Sequence, residues 1–187
     1  MSKNLKTIQS FAKIGKIVST VCFVFFIIVA IACIIAISTI ASIQNVEFNG
    51  QTVVGYVEST GTTFVTTIFS LASTIIICAG CAVISKFAEI YFANELEDGT
   101  PFTHRGAKEI MRLGLLSLGI PAGVTIALDI AFAVTKHFWP QVENIPLIVQ
   151  SLSITAGLIL IIMSIVISYG AELEDEIEKN SQSQSDN

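Results

Sequence analysis

Four long runs of apolar residues alternate with short polar stretches along the chain. The first run, 17–43, contains no charged residue, and a second uncharged run becomes strongly apolar near Phe64. A helix needs about 20 apolar residues to cross the hydrocarbon core of a bilayer, and each run is long enough. Backbone groups in lipid must form hydrogen bonds within their own segment, so the abundant β-branched residues do not favour strands here. The pattern therefore predicts four transmembrane helices.

Basic residues are distributed unevenly between the two sides of these helices. They lie before the first run, between the second and third runs and after the fourth, whereas the other two connections share only Lys136. An excess of Lys and Arg marks the cytoplasmic side of a membrane protein. Both termini and the central connection are therefore predicted to be cytoplasmic, and Trp139 fits an aromatic anchor at the outer interface.

Together, the runs and charges divide the chain into spanning and soluble segments. We predict membrane helices at 17–43, 64–88, 113–135 and 147–171. The other segments are a cytoplasmic leader (1–16), an outer loop with a β-hairpin (44–63), a cytoplasmic helix-turn-helix connection (89–112), an outer loop (136–146) and an acidic cytoplasmic tail with a disordered end (172–187). The expected fold class is an all-α integral membrane protein.

The first outer loop contains a turn signal. Residues 46–53 read VEFNGQTV, which places Asn49-Gly50 between two short alternating runs. Asn-Gly in this setting is the strongest local signal for a two-residue β-hairpin. We expect a small extracellular β-hairpin between the first and second membrane helices.

The ends of the second and fourth apolar runs share a tetrapeptide. The sequence ELED occupies 95–98 and again 172–175, each time after an aromatic and a small residue. The order of the helices repeats as well. These features predict that the four transmembrane helices form two helical hairpins of the same orientation, related by an axis along the membrane normal.

The central connection has the pattern of a helix, a tight turn and a second helix. Gly99 can adopt the left-handed conformation that ends a helix, and the Thr103 hydroxyl can cap the next helix. Pro101 keeps Thr100 extended. The second membrane helix is thus expected to continue into the cytosol, and the third to begin there and carry Arg112 toward the headgroups.

The residues of this turn also form a motif. Leucine, glycine and Pro-Phe-Thr occur in the order L-x-x-G-x-P-F-T, followed later by arginine and glycine, at Leu96, Gly99, Pro101, Phe102, Thr103, Arg112 and Gly114. The motif resembles the central loop of a family of small four-span bacterial membrane proteins catalogued as a domain of unknown function. The family's closing signature is similar to Tyr169, Gly170, Leu173 and Glu176. The resemblance implies a bacterial plasma-membrane protein from a family often encoded beside a small helix-turn-helix regulator.

Composition agrees with a membrane environment and excludes several classes of protein. Of the 187 residues, 52% are hydrophobic and 13% are charged, and the mean hydropathy is +0.74. Soluble domains carry about 25% charged residues. A disordered chain, a nucleic-acid-binding module and an ordinary soluble enzyme are therefore excluded. The net charge of −5 reflects acids clustered near the cytoplasmic helix ends.

Asp129 is the one acid inside a predicted membrane helix. An acid at membrane depth is costly unless it is paired, protonated or hydrated, so Asp129 is a functional candidate. Hydration near the outer interface, or a hydrogen bond to a neighbouring Ser or Thr, is the structural alternative to ion coupling. Pro121 earlier in the same helix removes one backbone hydrogen bond and is expected to bend the helix.

The spacing of Cys78 and Cys81 matches that of redox and metal sites. A pair buried in the membrane lacks the electropositive surroundings of a reactive thiolate. Cys22 and Cys33 would lie about 16 Å apart along one helix, so the four cysteines cannot surround one zinc ion. We interpret residues 78–81 as a small-residue surface for close helix contact, and we predict no cofactor or metal.

These observations favour a non-enzymatic protein. The chain contains no nucleophile elbow, phosphate-binding glycine loop or His-Glu metalloprotease motif. The leading hypothesis is an interaction protein whose cytoplasmic face, built from 95–112 and 172–178, holds a soluble regulator at the membrane without contacting nucleic acid itself. One alternative is a small, dimeric transporter or ion-handling protein that uses Asp129. Another is protection against membrane-active peptides through the outer hairpin.

Overall fold

The computed structural model describes residues 3–48, 50–59, 63–100, 102–140, 142 and 150–185. These residues form five α-helices and one pair of short strands. In chain order the elements are α1 (Lys3–Ile43), β1 (Glu47–Phe48), β2 (Gln51–Thr52), α2 (Val53–Ser59), α3 (Phe64–Asp98), α4 (His104–Phe138) and α5 (Gln150–Ser185). The described part of the chain is therefore predominantly helical, as the apolar runs predict.

Four of these helices, α1, α3, α4 and α5, are long and apolar enough to cross a membrane. Helices α3 and α4 each contain 35 residues, which corresponds to about 52 Å at a rise of about 1.5 Å per residue. The hydrocarbon core is about 30 Å thick, so each of these helices must extend beyond it. The prediction of a multi-pass membrane protein with four spanning helices is confirmed at this level.

Large apolar side chains cover the surface of α1. Ile17 is 63% exposed and Ile28 is 59% exposed, and many neighbours on the same helix are similar. In water a continuous apolar surface of this kind is unfavourable, whereas lipid is a matching solvent. The exposure pattern is therefore the one that a lipid-facing helix requires.

Many hydroxyl groups inside the apolar helices donate to the backbone of their own helix. Thr20 Oγ1 donates to the Lys16 carbonyl and Ser38 Oγ to the Ile34 carbonyl, both at 2.9 Å. The same bond to the carbonyl four residues earlier occurs at Ser42, Ser73, Thr74, Thr125 and Thr135. Because the donor is satisfied internally, Ser and Thr can occupy a helix in lipid.

The first predicted outer loop contains the two short strands. β1 and β2 pair antiparallel, with Glu47 opposite Thr52 and Phe48 opposite Gln51. Gly50 has a φ of 76°, in the left-handed region that favours glycine. The other residue of the predicted turn, Asn49, lies outside the described residues.

Helix α2 follows the strands directly and was not predicted from the sequence. The Thr52 hydroxyl oxygen accepts a hydrogen bond from the backbone N–H of Gly55 at 3.2 Å and so caps the helix. The interpretation of 44–63 as a loop with a hairpin is therefore incomplete. It missed α2 because seven residues without an apolar period give no helical signal.

The tail also differs from its prediction. Helix α5 continues to Ser185, so residues 181–185 are helical where disorder was expected, and 186–187 lie outside the described residues. A helix that already exists in the membrane extends without a new nucleation step, and Glu, Lys and Gln are good helix formers. The polar composition of the tail therefore did not prevent helix formation.

The second predicted outer loop is described only in part. Helix α4 continues to Phe138, and the backbone N–H of Trp139 donates to the Thr135 carbonyl at 2.8 Å. Trp139 is exposed, as an interfacial anchor would be. Residues 141 and 143–149, including the expected start of the fourth membrane helix, lie outside the described residues.

The helices contribute to two compact units. The first unit contains Met1–Cys22, Val83–Gly119 and Gln150–Asn187. Its core is formed by one aromatic and three aliphatic side chains, with two further residues packed against them: Tyr91, Ala107, Ile110, Ile167, Phe92 and Leu160. Within this unit the ring of Phe92 packs on Gly15, where an added Cβ would lie 2.6 Å from Phe92 Cζ.

The second unit contains Phe23–Ala82 and Ile120–Val149. Gly80 allows close packing of α3 on α4 there, since an added Cβ would lie 2.7 Å from Ile120 Cγ2. The rings of Phe69 and Phe132 are 6.0 Å apart, and Lys136 Nζ lies 5.6 Å from the Phe132 centroid. Small and aromatic residues thus set the helix contacts in this unit.

Candidate functional site

The turn between α3 and α4 is built as its sequence predicts. Gly99 has a φ of 76°, and its N–H donates to the Glu95 carbonyl at 3.0 Å, which ends α3. The Thr103 hydroxyl oxygen accepts a hydrogen bond from the Gly106 N–H at 2.9 Å and caps α4. The predicted roles of Gly99 and Thr103 are confirmed, whereas Pro101 lies outside the described residues.

Phe102 connects this turn to α5. A Cβ added at Gly170 would lie 2.6 Å from Phe102 Cδ1 and 3.2 Å from Cε1, so the ring packs directly on the Gly170 backbone. Phe102 nevertheless remains 42% exposed. The structure thus brings together two segments that the sequence analysis singled out separately, the P-F-T motif and the aromatic-glycine pair.

Gly114 serves a second close contact between α4 and α5. An added Cβ at Gly114 would lie 2.8 Å from Ile161 Cγ1 and 3.1 Å from the Gly157 carbonyl oxygen. About two helical turns closer to the α3–α4 turn along α4, Ser164 Oγ donates to the Ala107 carbonyl at 2.8 Å in a buried position. These contacts show how α4 and α5 approach each other within the first unit.

Ion pairs of Arg105 and a hydrogen bond of His104 link the turn to its neighbours. Arg105 lies 3.9 Å from Glu97, 3.8 Å from Asp98 and 3.4 Å from Glu109. His104 Nε2 lies 3.2 Å from an oxygen of Asp175 on α5. Exposed pairs of this kind contribute about 0 to 1 kcal/mol each, so they orient the turn more than they stabilise it.

A polar cluster lies behind these pairs, where α3 packs on α4. The Asn94 side-chain amide donates to Glu109 Oε1 at 2.6 Å, while Glu109 Oε2 is buried with no hydrogen-bond partner among the described residues. Burial raises the pKa of the Glu95 carboxyl above 4.5, and a smaller effect, the hydrogen bond with Tyr91, lowers it. Burial and then the nearby Glu95 raise the pKa of the Tyr91 hydroxyl.

A cavity of about 490 Å³ opens between α4 and α5 on the side of the turn. Its polar lining comes from six residues, His104, Lys108, Ser164, Ser168, Tyr169 and Glu172. Charged groups of both signs therefore line one concavity, together with three hydroxyl groups. We call it the α4–α5 cavity.

Other candidate residues lie apart from this region or play structural roles. Arg112 is exposed on α4, and Leu96 is half-buried near the end of α3. Asp129 is exposed within the second unit, and α4 continues as a helix through Pro121. The contact of Gly80 with Ile120 supports the interpretation of 78–81 as a packing surface. Among the described residues, no three His, Cys, Asp or Glu side chains gather as metal ligands.

Several residues of this region were not identified from the sequence. Ser164, Asn94 and Glu109 make their contacts across helix pairs, and no local pattern reports which faces meet. Only Glu109 carried a signal, because its spacing of four residues from Arg105 is typical of a helical ion pair.

Comparison with protein-family models, curated proteins and solved structures finds no match. The resemblance of the α3–α4 turn to a bacterial family therefore rests on the motif residues alone, and it remains a prediction. The geometry around the α3–α4 turn is therefore the observation that bears on function.

Proposed function

We propose that this chain is a non-enzymatic protein of the bacterial plasma membrane, with both termini in the cytoplasm, whose cytoplasmic face holds a soluble partner. That face consists of residues 95–112 and 172–178. A small helix-turn-helix regulator is the partner that the family resemblance suggests. Two features support the proposal: the charge distribution along the chain, and the extension of α5 beyond its apolar run.

The single observation that carries the proposal is the extension of α5 beyond its apolar run. Four acids, Glu172, Glu174, Asp175 and Glu176, follow the last apolar residues, and all four are exposed. Such a cluster is too costly to place in hydrocarbon, so this part of α5 projects into water. A rigid helix outside the bilayer is a surface on which another protein can bind.

Two apolar side chains on this extension are exposed. Leu173 is 42% exposed and Ile177 is 67% exposed, and their spacing of four residues places them on one face of the helix. Tyr169, 63% exposed, continues the same stripe toward the membrane. Apolar anchors surrounded by acids fit a partner that presents an apolar groove bordered by Lys and Arg.

A binding experiment with matched variants tests the proposal. A photo-crosslinking residue at position 174 should attach to a cytosolic regulator in intact cells, and Leu173→Ala with Ile177→Ala should reduce that product at least about tenfold. Ile162→Ala is the control, because Ile162 is 61% exposed but lies within the apolar run. The control variant should crosslink as the unmodified chain does.

Two outcomes would contradict the proposal. One is the absence of any specific cytosolic product from position 174. The other is equal crosslinking by the double variant and the Ile162→Ala control, which would show that the stripe is not the contact.

A further inference from the structure

The α4–α5 cavity is a concave site that shares His104, Lys108 and Glu172 with the proposed partner surface. We call its apolar lining residues, Ala107, Met111 and Ile165, the floor, and its polar lining residues the rim. Ile165 is 59% exposed, so part of the floor is also accessible from outside the cavity. At about 490 Å³ the cavity falls in the range of small-molecule sites, about 300 to 1,000 Å³.

The cavity lies at the level where both helices change from polar to apolar. On α4, Lys108 precedes the apolar run that begins at Leu113, and on α5, Glu172 directly follows the run that ends at Ala171. Headgroups occupy this level of a bilayer, while acyl chains begin one or two helical turns deeper. Met111 lies about one helical turn deeper than Lys108, and Ile165 about two turns deeper than Glu172, which is the order of the two parts of a phospholipid.

The charges on the rim select among headgroups. Lys108 is exposed and takes part in none of the ion pairs found among the described residues, so its ammonium is available to a phosphate. Glu172 lines the same cavity and lies close along α5 to Asp175, which His104 engages. Because a carboxylate faces the cavity, a ligand with net negative charge is opposed there, whereas one that carries its own cation is favoured.

We propose that the α4–α5 cavity binds the headgroup of a zwitterionic aminophospholipid, with its phosphate at Lys108 and its ammonium at Glu172. Ser168 and Tyr169 supply hydroxyl donors to the phosphate oxygens, and the floor accepts the first methylenes of an acyl chain. A primary ammonium donates three hydrogen bonds to carboxylate oxygens, whereas a choline headgroup has no N–H to donate. The site thus distinguishes ethanolamine from choline, although both carry the same net charge.

Lipid binding to the purified full-length chain tests this directly. Bound lipid is counted by native mass spectrometry after titration with phosphatidylethanolamine, phosphatidylcholine or phosphatidylglycerol in detergent micelles. We expect phosphatidylethanolamine to bind about tenfold tighter than either of the other two, the change that corresponds to one charge-assisted hydrogen bond. Free glycerophosphoethanolamine has the same headgroup without acyl chains, and it should compete at least about tenfold more weakly.

Variants with matched controls locate the binding. Lys108→Gln and Glu172→Gln should each lose the preference for ethanolamine, while Arg112→Gln and Glu174→Gln, which change exposed charges outside the cavity lining, should retain it. Met111→Trp fills the floor and should weaken binding while leaving both charges in place.

The proposal is overturned if the three lipids bind equally, or if Lys108→Gln and Arg112→Gln have the same effect. It is also overturned if the free headgroup competes as well as the lipid. Because the assay uses the protein alone, its result is independent of the cytosolic partner.

Discussion

The ring of Phe102 lies on the backbone of Gly170, so close that a Cβ at position 170 would be 2.6 Å from Phe102 Cδ1. One residue belongs to the α3–α4 turn and the other to α5. Gly170 does not have a φ in the left-handed region, so backbone conformation does not require a glycine there. The contact with Phe102 requires its small size instead.

Gly170→Ala is expected to destabilise the protein by about 1 kcal/mol. The added methyl group must displace the Phe102 ring, which can move because it is partly exposed. The destabilisation is therefore expected at the lower end of the range for overpacking substitutions. The measurement is the free energy of unfolding in detergent.

A double-mutant cycle with Phe102→Ala checks the cause. Removing the ring should abolish most of the effect of Gly170→Ala, with a coupling free energy of at least about 0.5 kcal/mol. Gly119→Ala is the control, because an added Cβ there meets nothing within 4 Å. Additive effects of the two substitutions would contradict the contact.

Gly114→Ala should destabilise the protein more, by about 2 to 3 kcal/mol. The new Cβ would lie 3.1 Å from both the Gly157 carbonyl oxygen and the Ile161 nitrogen, so α4 and α5 have to separate. Backbone atoms cannot rotate away as the Phe102 ring can. A free energy of unfolding equal to that of the Gly119→Ala control would contradict this packing.

The amino-acid pattern predicted the features that depend on short stretches of chain. The four spanning helices follow from run length, and the Gly99 and Thr103 roles follow from local backbone chemistry that requires no partner. The pair of two-residue strands at 47–52 lies where the Asn-Gly sequence predicts a hairpin.

What the pattern did not predict depends on which helix faces meet. Helices that are apolar on every side have no polar stripe to fix their orientation, so the bond from Ser164 to Ala107 and the contact of Asn94 with Glu109 had no sequence signal. The α4–α5 cavity arises from the same packing. The helical tail to Ser185 was missed for another reason, because composition suggested disorder while the preceding helix supplied the nucleus.

Glu95→Gln should change the pH dependence of stability. Folding raises the Glu95 pKa above 4.5. The stabilising contribution of the protonated carboxyl to the free energy of unfolding is therefore fully present below about pH 4.5, and it is lost as the pH rises through the raised pKa. Glutamine does not ionise and still accepts the Tyr91 hydrogen bond. The variant should therefore gain stability relative to the unmodified chain as pH increases from about 4.5 to 7.

Chemical unfolding in detergent at several pH values measures this difference. Glu97→Gln is the matched control, since Glu97 lies two residues further along α3 and its side chain is 75% exposed. The control should follow the unmodified chain over the whole range. If the free energy of unfolding of Glu95→Gln has the same pH dependence as those of the control and the unmodified chain, the Glu95 carboxyl titrates as it does in the unfolded chain.

The orientation of the chain is testable with substituted cysteines. Gln51→Cys, exposed in the first outer loop, should react with a membrane-impermeant maleimide in intact cells, whereas Glu174→Cys should react only after permeabilisation. The unmodified chain, whose native cysteines all lie within α1 and α3, measures the background labelling. The expectation follows from the basic residues, of which Lys136 alone lies in a predicted outer connection. Labelling of Glu174→Cys in intact cells would place the acidic end of α5 outside, where no cytosolic regulator could reach Leu173 and Ile177.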